Sequence, residues 1–275
     1  MADIVGIGAN VCDTLLNVSH YPTEDTKLRA DNIKLCGGGP CATGLVAASK
    51  LGASCAFIGN TTDDGNGKFL NADFEHYNVS TQYMNVLAGY QSFSSYIWLA
   101  KDTASRTCVF HRGNVPPTVL DDAQKQAIAD ANILMVDGND MQAAIEGATV
   151  AKKNGTRVLY DAGGLYEGVE NLLPFADILI PSEEFSLGHT GADCAQDAAK
   201  ILYEKYRPNV VVITQGKKGG ILYDGKQLKE YPAFLVEAVD SNGSGDVFHG
   251  AFAFAVNAGY RYEDACIFSP FNIHE

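Results

Sequence analysis

The densest group of chemically capable residues lies near the C-terminus, where glycine, serine and aspartate alternate within residues 240–250. A strand-like run at 234–239 precedes this stretch. The apolar, alanine-rich run at 251–256 that follows it is typical of a buried helix. Glycines let the backbone turn tightly against a ligand, and the unpaired amides at the start of a helix attract anions. The stretch therefore predicts an anion-binding turn between a strand and a helix.

An acidic side chain in such a turn indicates more than anion binding. Asp246 stands beside Gly243, Ser244 and Gly245, and its carboxylate would repel a bound phosphate unless it served to accept a proton. The pattern therefore predicts a base next to a phosphoryl group that is being transferred. The alternative is that Ser244 or Asp246 simply caps the helix, as these residue types often do.

The order of residues here resembles the C-terminal signature of the ribokinase (PfkB) family of sugar and nucleoside kinases, Asp-Thr-x-Gly-Ala-Gly-Asp-x-Phe-x-Gly. The positions that match in register are Asp240, Gly243, Gly245, Asp246, Phe248 and Gly250. The resemblance implies that Asp246 is the catalytic base and that the amides of Gly243, Ser244 and Gly245 hold the charge of the transferring phosphate. It also implies that Asp240 and Asn242 belong to a loop that binds a monovalent cation, K⁺.

Two stretches in the N-terminal half resemble the elements with which this family binds its sugar. Asp13 follows the glycine of the first strand at the spacing of an aspartate that hydrogen-bonds sugar hydroxyls; the alternative is a solvated turn residue. Gly38, Gly39 and Thr43 match the element Gly-Gly-x-x-x-Asn. Because Thr43 replaces the asparagine, the site keeps a hydroxyl and loses an amide.

Two further substrate-binding candidates depend on the predicted fold. Arg106 lies in a strand-like segment and either reaches the site or is solvated. Asn139 follows a predicted strand, as do Asp161, Ser182 and Thr214. Ligands of open α/β sheets bind beyond the C-terminal ends of the strands, so these side chains are expected to share one cleft.

The nucleotide is expected on the other side of that cleft. Thr214, Gly216 and Gly219 match the family's Thr-x-Gly-x-x-Gly element, although a plain hairpin turn is the alternative. Ser182 and Phe185 stand where the family has Asn-x-x-Glu, which organises Mg²⁺ and phosphates. Glu183 and Glu184 are therefore expected to take over that role, Glu184 as a metal ligand that acts through water.

The elements that position these residues alternate regularly in the second half of the chain. Helices predicted at 121–131, 141–153 and 194–206 alternate with apolar strands at 133–137, 157–161, 178–181 and 210–214. Continuous apolar strands between helices predict an α/β fold, a three-layer sandwich whose mostly parallel central sheet is flanked by helices.

A hairpin-like pair of segments interrupts this alternation. Such a hairpin suits the small β lid that the ribokinase family, which this sequence resembles, folds over its substrate. The resemblance implies a discontinuous lid that takes strands from 10–36 and 89–112, although the pattern of residues 14–36 is polar and irregular. The nucleotide- and substrate-binding core then comprises 1–9, 37–88 and 113–275. An exposed lid face would allow a homodimer, although core packing is the commoner fate of its aromatic residues.

Composition limits the partners. The chain has 275 residues and a formal charge of −13, which argues against nucleic acid as a partner. Neither a membrane-spanning run nor a signal pattern is recognisable, and the seven scattered cysteines favour reduced thiols in the cytoplasm. A dehydrogenase is disfavoured, because Gly6-x-Gly8 is followed by Val11 where the dinucleotide fingerprint needs a third glycine.

The resemblance thus implies an ATP-dependent kinase that uses Mg²⁺ to phosphorylate a small sugar. A nucleoside kinase is the first alternative, since the family uses the same motifs for both. A non-catalytic sugar- or nucleotide-binding protein is the second, because Ser182-x-x-Phe185 is altered and the family usually continues past the helix that starts near Tyr262. Pro270 is expected to break that helix, which would leave the adenine pocket open on one side.

Overall fold

The computed structural model describes residues 2–233 and 243–271, and the side chains of the second segment as far as Ser269. The strands in chain order are β1 Ile4–Ile7, β2 Val11–Val18, β3 Asn32–Gly38, β4 Cys55–Thr62, β5 Val79–Leu87, β6 Ser94–Ala100, β7 Ser105–His111, β8 Ile133–Val136, β9 Arg157–Ala162, β10 Ile178–Pro181, β11 Val210–Thr214, β12 Gly220–Tyr223 and β13 Leu228–Tyr231. The helices are α1 Pro40–Lys50, α2 Gly65–His76, α3 Asp122–Asp130, α4 Met141–Asn154, α5 Val169–Leu172, α6 Glu183–Thr190, α7 Ala195–Tyr206, α8 Ser244–Asn257 and α9 Tyr262–Phe271.

The larger sheet has nine strands in the order β13-β12-β11-β10-β9-β8-β1-β4-β5. The seven strands from β11 to β5 run parallel, and β12 and β13 add an antiparallel hairpin at one edge. Successive strand residues point to opposite faces, so Val5 belongs to the core cluster that contains residues of α3, α4 and α7, while Ile4 belongs to the cluster that contains residues of α1 and α8. Both faces are therefore covered by helices, and the predicted three-layer α/β sandwich is confirmed.

The smaller sheet has four strands in the order β3-β2-β6-β7. β2 pairs with β3 and β6 with β7 in antiparallel fashion, and the two hairpins join through parallel pairing of β2 with β6. We keep the name lid for this sheet. Its strands fall largely within the ranges predicted for the lid, while the division of the chain into a core and a lid unit stays a prediction.

Two local predictions were wrong. Residues 14–36 are not irregular throughout, because strands occupy 14–18 and 32–36 and only 19–31 lie outside them. Pairing of β2 with both β3 and β6 stabilises a segment whose own pattern is weak. Pro270 does not break the last helix, since α9 continues to Phe271. A proline this close to the end of a helix removes only a hydrogen bond of the last turn, where few remain to be lost.

The site depends on a close contact between α1 and α8, which cover the same face of the sheet. A Cβ on Gly250 of α8 would overlap the carbonyl oxygen of Gly44, and a Cβ on Gly44 would lie 2.7 Å from Met135 Cε. Glycine at both positions lets the helix backbones approach each other. This approach brings the first turn of α1 against the first turn of α8.

Replacement of Gly250 by alanine should therefore destabilise the protein. The new methyl group meets backbone rather than a mobile side chain, so we expect the free energy of unfolding to fall by about 3 kcal/mol and the melting temperature by roughly 5–10 °C. Thermal unfolding followed by circular dichroism measures this. The matched control is Gly65→Ala in α2, where a Cβ has no atom within 4 Å. Equal melting temperatures for the two variants would contradict the close contact.

Candidate active site

The first turn of α8 presents an anion-binding backbone. Gly243 is the N-cap residue, with φ of 73° in the left-handed region, and no side chain caps the helix. The alternative in which Ser244 or Asp246 merely caps α8 is therefore wrong. The amides of the first turn have no partners within the helix, and Gly245 is exposed. This turn can accept a phosphate group at the positive end of the helix dipole.

Asp246 lies in this first turn and is half-buried. Burial and the nearby negative charge of Asp161 raise the pKa of Asp246 to about 7, while the charges of His249 and Arg106 oppose the rise. A carboxyl group with a pKa near neutrality exchanges protons readily at physiological pH. Asp246 is thus electrostatically suited to accept a proton.

The first turn of α1 lies beside Gly243. A Cβ on Gly243 would be 3.6 Å from Thr43 Cγ2 and 3.8 Å from Asp246 Oδ2. Gly39, with φ of 99°, precedes α1, and a Cβ there would come within 2.5 Å of the Ala9 carbonyl oxygen. The structure therefore brings Thr43 close to the turn that carries Asp246, as expected of one site.

Asp13 is a buried residue of β2 rather than a solvated turn residue. Ser95 Oγ donates a hydrogen bond of 2.5 Å to Asp13 Oδ1, and a Cβ on Gly38 would overlap Asp13 Oδ2. Burial raises the pKa of Asp13, whereas the Ser95 hydrogen bond and the charge of Arg106 lower it. The lid thus holds the carboxyl group of Asp13, whose burial is partly compensated by Ser95 and Arg106, next to Gly38.

Arg106 is connected electrostatically with both carboxyl groups. Cross-strand pairing places it on the same face of the lid as Asp13 and Ser95. Its guanidinium is exposed, yet its charge lowers the pKa of both Asp13 and Asp246. The role of Arg106 in substrate binding stays a prediction.

The predicted nucleotide side lies at the ends of β10 and β11. Ser182 caps α6 by accepting a hydrogen bond from the Phe185 amide (3.0 Å) and pairs with Thr214 in a parallel bridge. Gln215 Nε2 donates to Glu183 Oε1 at 2.7 Å, so Glu183 attaches the loop after β11 to α6. Gly216 and Gly219 both have positive φ in that loop. A Cβ on Gly219 would overlap the Tyr231 carbonyl oxygen, which explains why glycine is needed there.

Comparison of the chain with known protein families agrees with these features, which are a parallel sheet, a glycine-bounded anion turn and a carboxyl group within that turn. The model of the pfkB family of carbohydrate kinases matches residues 1–269. The chain belongs to the pfkB family.

Curated relatives of this pfkB-family chain include a ribokinase from Haemophilus influenzae, 26% identical over 269 residues that cover 95% of this chain and 88% of the relative. A deoxyribokinase from Salmonella typhi is 26% identical over 98% of this chain and 92% of its own length. A structure of Arabidopsis thaliana ribokinase with ribose and ATP superposes with a TM-score of 0.84 at 22% identity, covering 96% of this chain and 89% of that one.

Membership in the pfkB family makes the chain a phosphotransferase with a hydroxyl acceptor, as predicted, and a carbohydrate kinase resembling ribokinase and deoxyribokinase. None of the helices in the described part of the chain is both long and apolar enough to cross a bilayer.

Three residues were predicted to bind metal ions: Glu184, Asp240 and Asn242. Asp240 and Asn242 lie outside the described residues. Glu184 is exposed on the first turn of α6, and its carboxylate is an oxygen donor of the kind that Mg²⁺ binds directly or through water. Phe185 is 1% exposed and stacks on His189, so it supplies no ligand. Within residues 2–233 and 243–271 no cluster of three acidic, histidine or cysteine side chains could hold a metal by itself.

Asn139 lies in a neighbouring part of the cleft. It borders a cavity of about 510 Å³ whose walls, in the described residues, do not include Asp13 or Asp246. Arg112 Nη1 donates to Asn139 Oδ1 at 3.2 Å, and its guanidinium lies 5.6 Å from the Phe93 ring centre. The substrate-binding role of Asn139 therefore stays a prediction.

Sequence reasoning missed three residues of this region: Asp137, Arg112 and His249. Asp137 accepts hydrogen bonds from the amides of Ala9 (2.8 Å), Cys41 (3.0 Å) and Asn139 (2.8 Å). It was visible in the sequence as the acidic residue that ends an apolar strand. His249 was visible as a histidine within an otherwise apolar helix. Arg112 follows β7 in a loop, and no pattern distinguished it.

The geometry around Asp13 yields a prediction for Ser95→Ala. Removing the hydroxyl removes the hydrogen bond that stabilises the ionised carboxylate, so the pKa of Asp13 should rise further. Carboxyl ¹³C shifts of Asp13 followed through a pH titration measure this. The control is Ser94→Ala, because its side chain points to the opposite face of β6. An unchanged pKa in Ser95→Ala would show that Ser95 does not support the charged form.

Proposed function

We propose that this pfkB-family kinase transfers the γ-phosphate of ATP to a hydroxyl group of a small sugar, with Asp246 as the general base. The observation that carries the proposal is the first turn of α8. It combines amides that have no partner within the helix, an exposed glycine and a carboxyl group whose pKa burial raises to about 7. An anion site and a proton acceptor thus occupy one turn.

The proposed roles follow from what phosphoryl transfer demands, which is chiefly positioning and stabilisation of charge. The amides of Gly243, Ser244 and Gly245 would hold the charge of the transferring phosphoryl group. Asp246 would take the proton from the attacking hydroxyl as the oxygen bonds to phosphorus. Mg²⁺, held by Glu184 through water, would neutralise charge on the nucleotide phosphates.

The sugar would be held between the lid and the first turn of α1. Asp13 is the buried acceptor for sugar hydroxyls, and Gly38 and Gly39 let the backbone approach it closely. Thr43 and Arg106 would complete this side, and Asn139 would contact the part of a substrate that extends into the neighbouring cavity. Closure of the lid over the sugar would exclude water and limit hydrolysis of ATP.

The nucleotide would lie across the ends of β10 and β11, where Ser182, Glu183, Thr214, Gly216 and Gly219 meet. The Arabidopsis ribokinase named above was solved with ribose and ATP, which supports this assignment by fold. A monovalent cation, K⁺, at Asp240 and Asn242 is part of the proposal, as is a cytoplasmic location. A nucleoside kinase is the second candidate, because the cavity beside Asn139 offers room for a larger acceptor.

A substrate panel tests this function. Ribose, deoxyribose, fructose and several nucleosides are incubated with ATP and Mg²⁺, and the release of ADP is coupled to a spectrophotometric readout. We expect turnover with at least one free sugar above the background of ATP hydrolysis. Turnover confined to nucleosides would favour the second candidate. Binding of sugar and ATP without turnover would favour the non-catalytic alternative.

Asp246→Asn should reduce kcat by about 10²–10⁴-fold, while the affinities for ATP and sugar stay within several-fold of the unmodified protein. In the unmodified protein kcat should fall as the pH drops below about 7, because protonation removes the base. The measurement is kcat over pH together with calorimetric affinities. Retention of most of kcat in Asp246→Asn would remove Asp246 from the role of base.

We also propose a homodimer through the outer face of the lid. Leu35, Thr14, Tyr96 and Val109 are paired in one row across all four lid strands. Leu35 is 46%, Tyr96 51% and Val109 56% exposed. Cross-strand pairing places Asp13 and Ser95 on the other face, so this row points away from the site. An apolar row of this kind on an exposed sheet favours association with a second copy.

Charge in that row should dissociate the dimer. We expect the protein to sediment as a dimer and the double variant Tyr96→Lys with Val109→Lys to sediment as a monomer, because two lysines per subunit would be buried at the contact. Analytical ultracentrifugation distinguishes the two. Thr103→Lys, in the exposed turn between β6 and β7, is the control and should stay dimeric. A monomeric unmodified protein would refute this interface.

A further inference from the structure

The buried histidine of α8 has an unusual set of hydrogen-bond partners. His249 is 4% exposed and lies one turn after Asp246. Its Nδ1 lies 2.5 Å from the carbonyl oxygen of Gly245, and its Nε2 lies 3.0 Å from the carbonyl oxygen of Ile180. A carbonyl oxygen only accepts hydrogen bonds, and a neutral imidazole has only one N–H. Both contacts are satisfied only when both ring nitrogens carry a proton.

A counter-charge for this imidazolium is in place. Asp161 Oδ2, at the end of β9, lies 3.3 Å from His249 Nδ1. This oxygen is buried and has no hydrogen-bond partner within hydrogen-bonding geometry among the described residues. An ionised carboxylate so placed needs a nearby positive charge, because burying an unpaired charge is costly.

The competing arrangement contains the same number of protons. In it a protonated Asp161 donates to Nδ1 of a neutral His249, whose Nε2 donates to Ile180. The lone pair of Nδ1 would then face the carbonyl oxygen of Gly245 at 2.5 Å, which is repulsive. Burial favours this neutral arrangement: it lowers the pKa of His249, which the two carbonyl acceptors and the charge of Asp246 offset only in part, and it raises the pKa of Asp161. The repulsion at Nδ1 opposes it. The hydrogen-bond geometry favours the ion pair.

The surroundings of Asp246 and His249 contain more acidic than basic groups. The ionisable side chains near Asp246 and His249 are Asp137, which follows β8, Asp161 of β9, Cys41 of α1 and Arg106 of β7. Arg106 is exposed, so among these described groups His249 is the cation on the buried side. Without its charge, the carboxyl groups would repel one another and Asp246 would hold its proton more tightly.

The two carbonyl groups also belong to opposite sides of the predicted site. Gly245 is part of the first turn of α8, whereas Ile180 lies on β10, two residues before Ser182. The ring of His249 therefore connects the turn that carries Asp246 with the strand that leads to the predicted nucleotide side. It does so from behind the turn, within the protein interior.

We propose that His249 is a positioning residue that stays protonated throughout the working pH range: as a buried imidazolium paired with Asp161, it attaches the first turn of α8 to β10 and favours the ionised form of Asp246. The consequence for Asp246 rests on the proposed function, whereas the protonation of His249 does not. The two parts therefore call for separate measurements.

The first measurement is made on the unmodified protein. The ring nitrogens of ¹⁵N-labelled histidine are observed by NMR between about pH 6 and about pH 9, with His249 assigned through the backbone. We expect both of its nitrogens to carry a proton over the whole range. A single N–H on His249 at any of these pH values would overturn the proposal, whether or not the enzyme turns over any acceptor tested.

The second measurement uses His249→Gln, which can still donate to one carbonyl but carries no charge. The acidic limb of the kcat profile should move to higher pH by about one unit, because Asp246 loses a neighbouring cation. The maximal kcat should fall about tenfold or more through the loosened turn, with the KM for ATP little changed. The control is His76→Gln, at the exposed end of α2, which should match the unmodified protein. An unmoved acidic limb in His249→Gln would refute the role assigned to His249.

Discussion

The electrostatic cost of burying carboxyl groups constrains this structure more than any other interaction. Asp137, Asp161 and Asp246 gather where the parallel strands end and α8 begins, and burial raises the pKa of each of them. Each is compensated differently. Asp137 accepts backbone amides, Asp161 lies beside His249, and Asp246 remains partly exposed near Arg106. The carboxyl group left with access to solvent is also the one in the anion-binding turn.

The hydrogen bonds that compensate the buried charge of Asp137 also hold the loops around the site. Its oxygens accept amides from Ala9, Cys41 and Asn139, which belong to the loop after β1, the start of α1 and the loop after β8. A Cβ on Gly8 would lie 2.5 Å from this carboxylate. A single buried side chain thus holds three chain segments together. The loops at this end of the sheet are therefore held in defined positions although they contain little regular structure.

The sequence was sufficient where a feature depends on local pattern. The strands β8 to β11 are uninterrupted apolar runs, and the glycines around Ser244 needed no tertiary information. What it could not supply were contacts between distant segments. The pairing of His249 with Ile180 spans 69 residues and that of Ala9 with Asp137 spans 128. The pattern of residues 14–36 indicated no strand for the same reason, because β2 and β3 are stabilised by pairing with each other and with β6 rather than by their own alternation.

The departure at Phe185 is explained by packing. Phe185 is buried against the α6–α7 side of the core and stacks on His189, which in turn lies 2.7 Å from the Tyr206 hydroxyl. A carboxylate at this position would be desolvated without a cation, so an apolar ring stabilises the start of α6 better than a glutamate would. The negative charge lies instead on the preceding residues. Glu183 is bound by Gln215 and lies 4.0 Å from Lys218, whereas Glu184 faces solvent. The two glutamates of this helical turn therefore differ in surroundings: Glu183 holds the loop after β11, whereas the carboxylate of Glu184 is accessible from solvent.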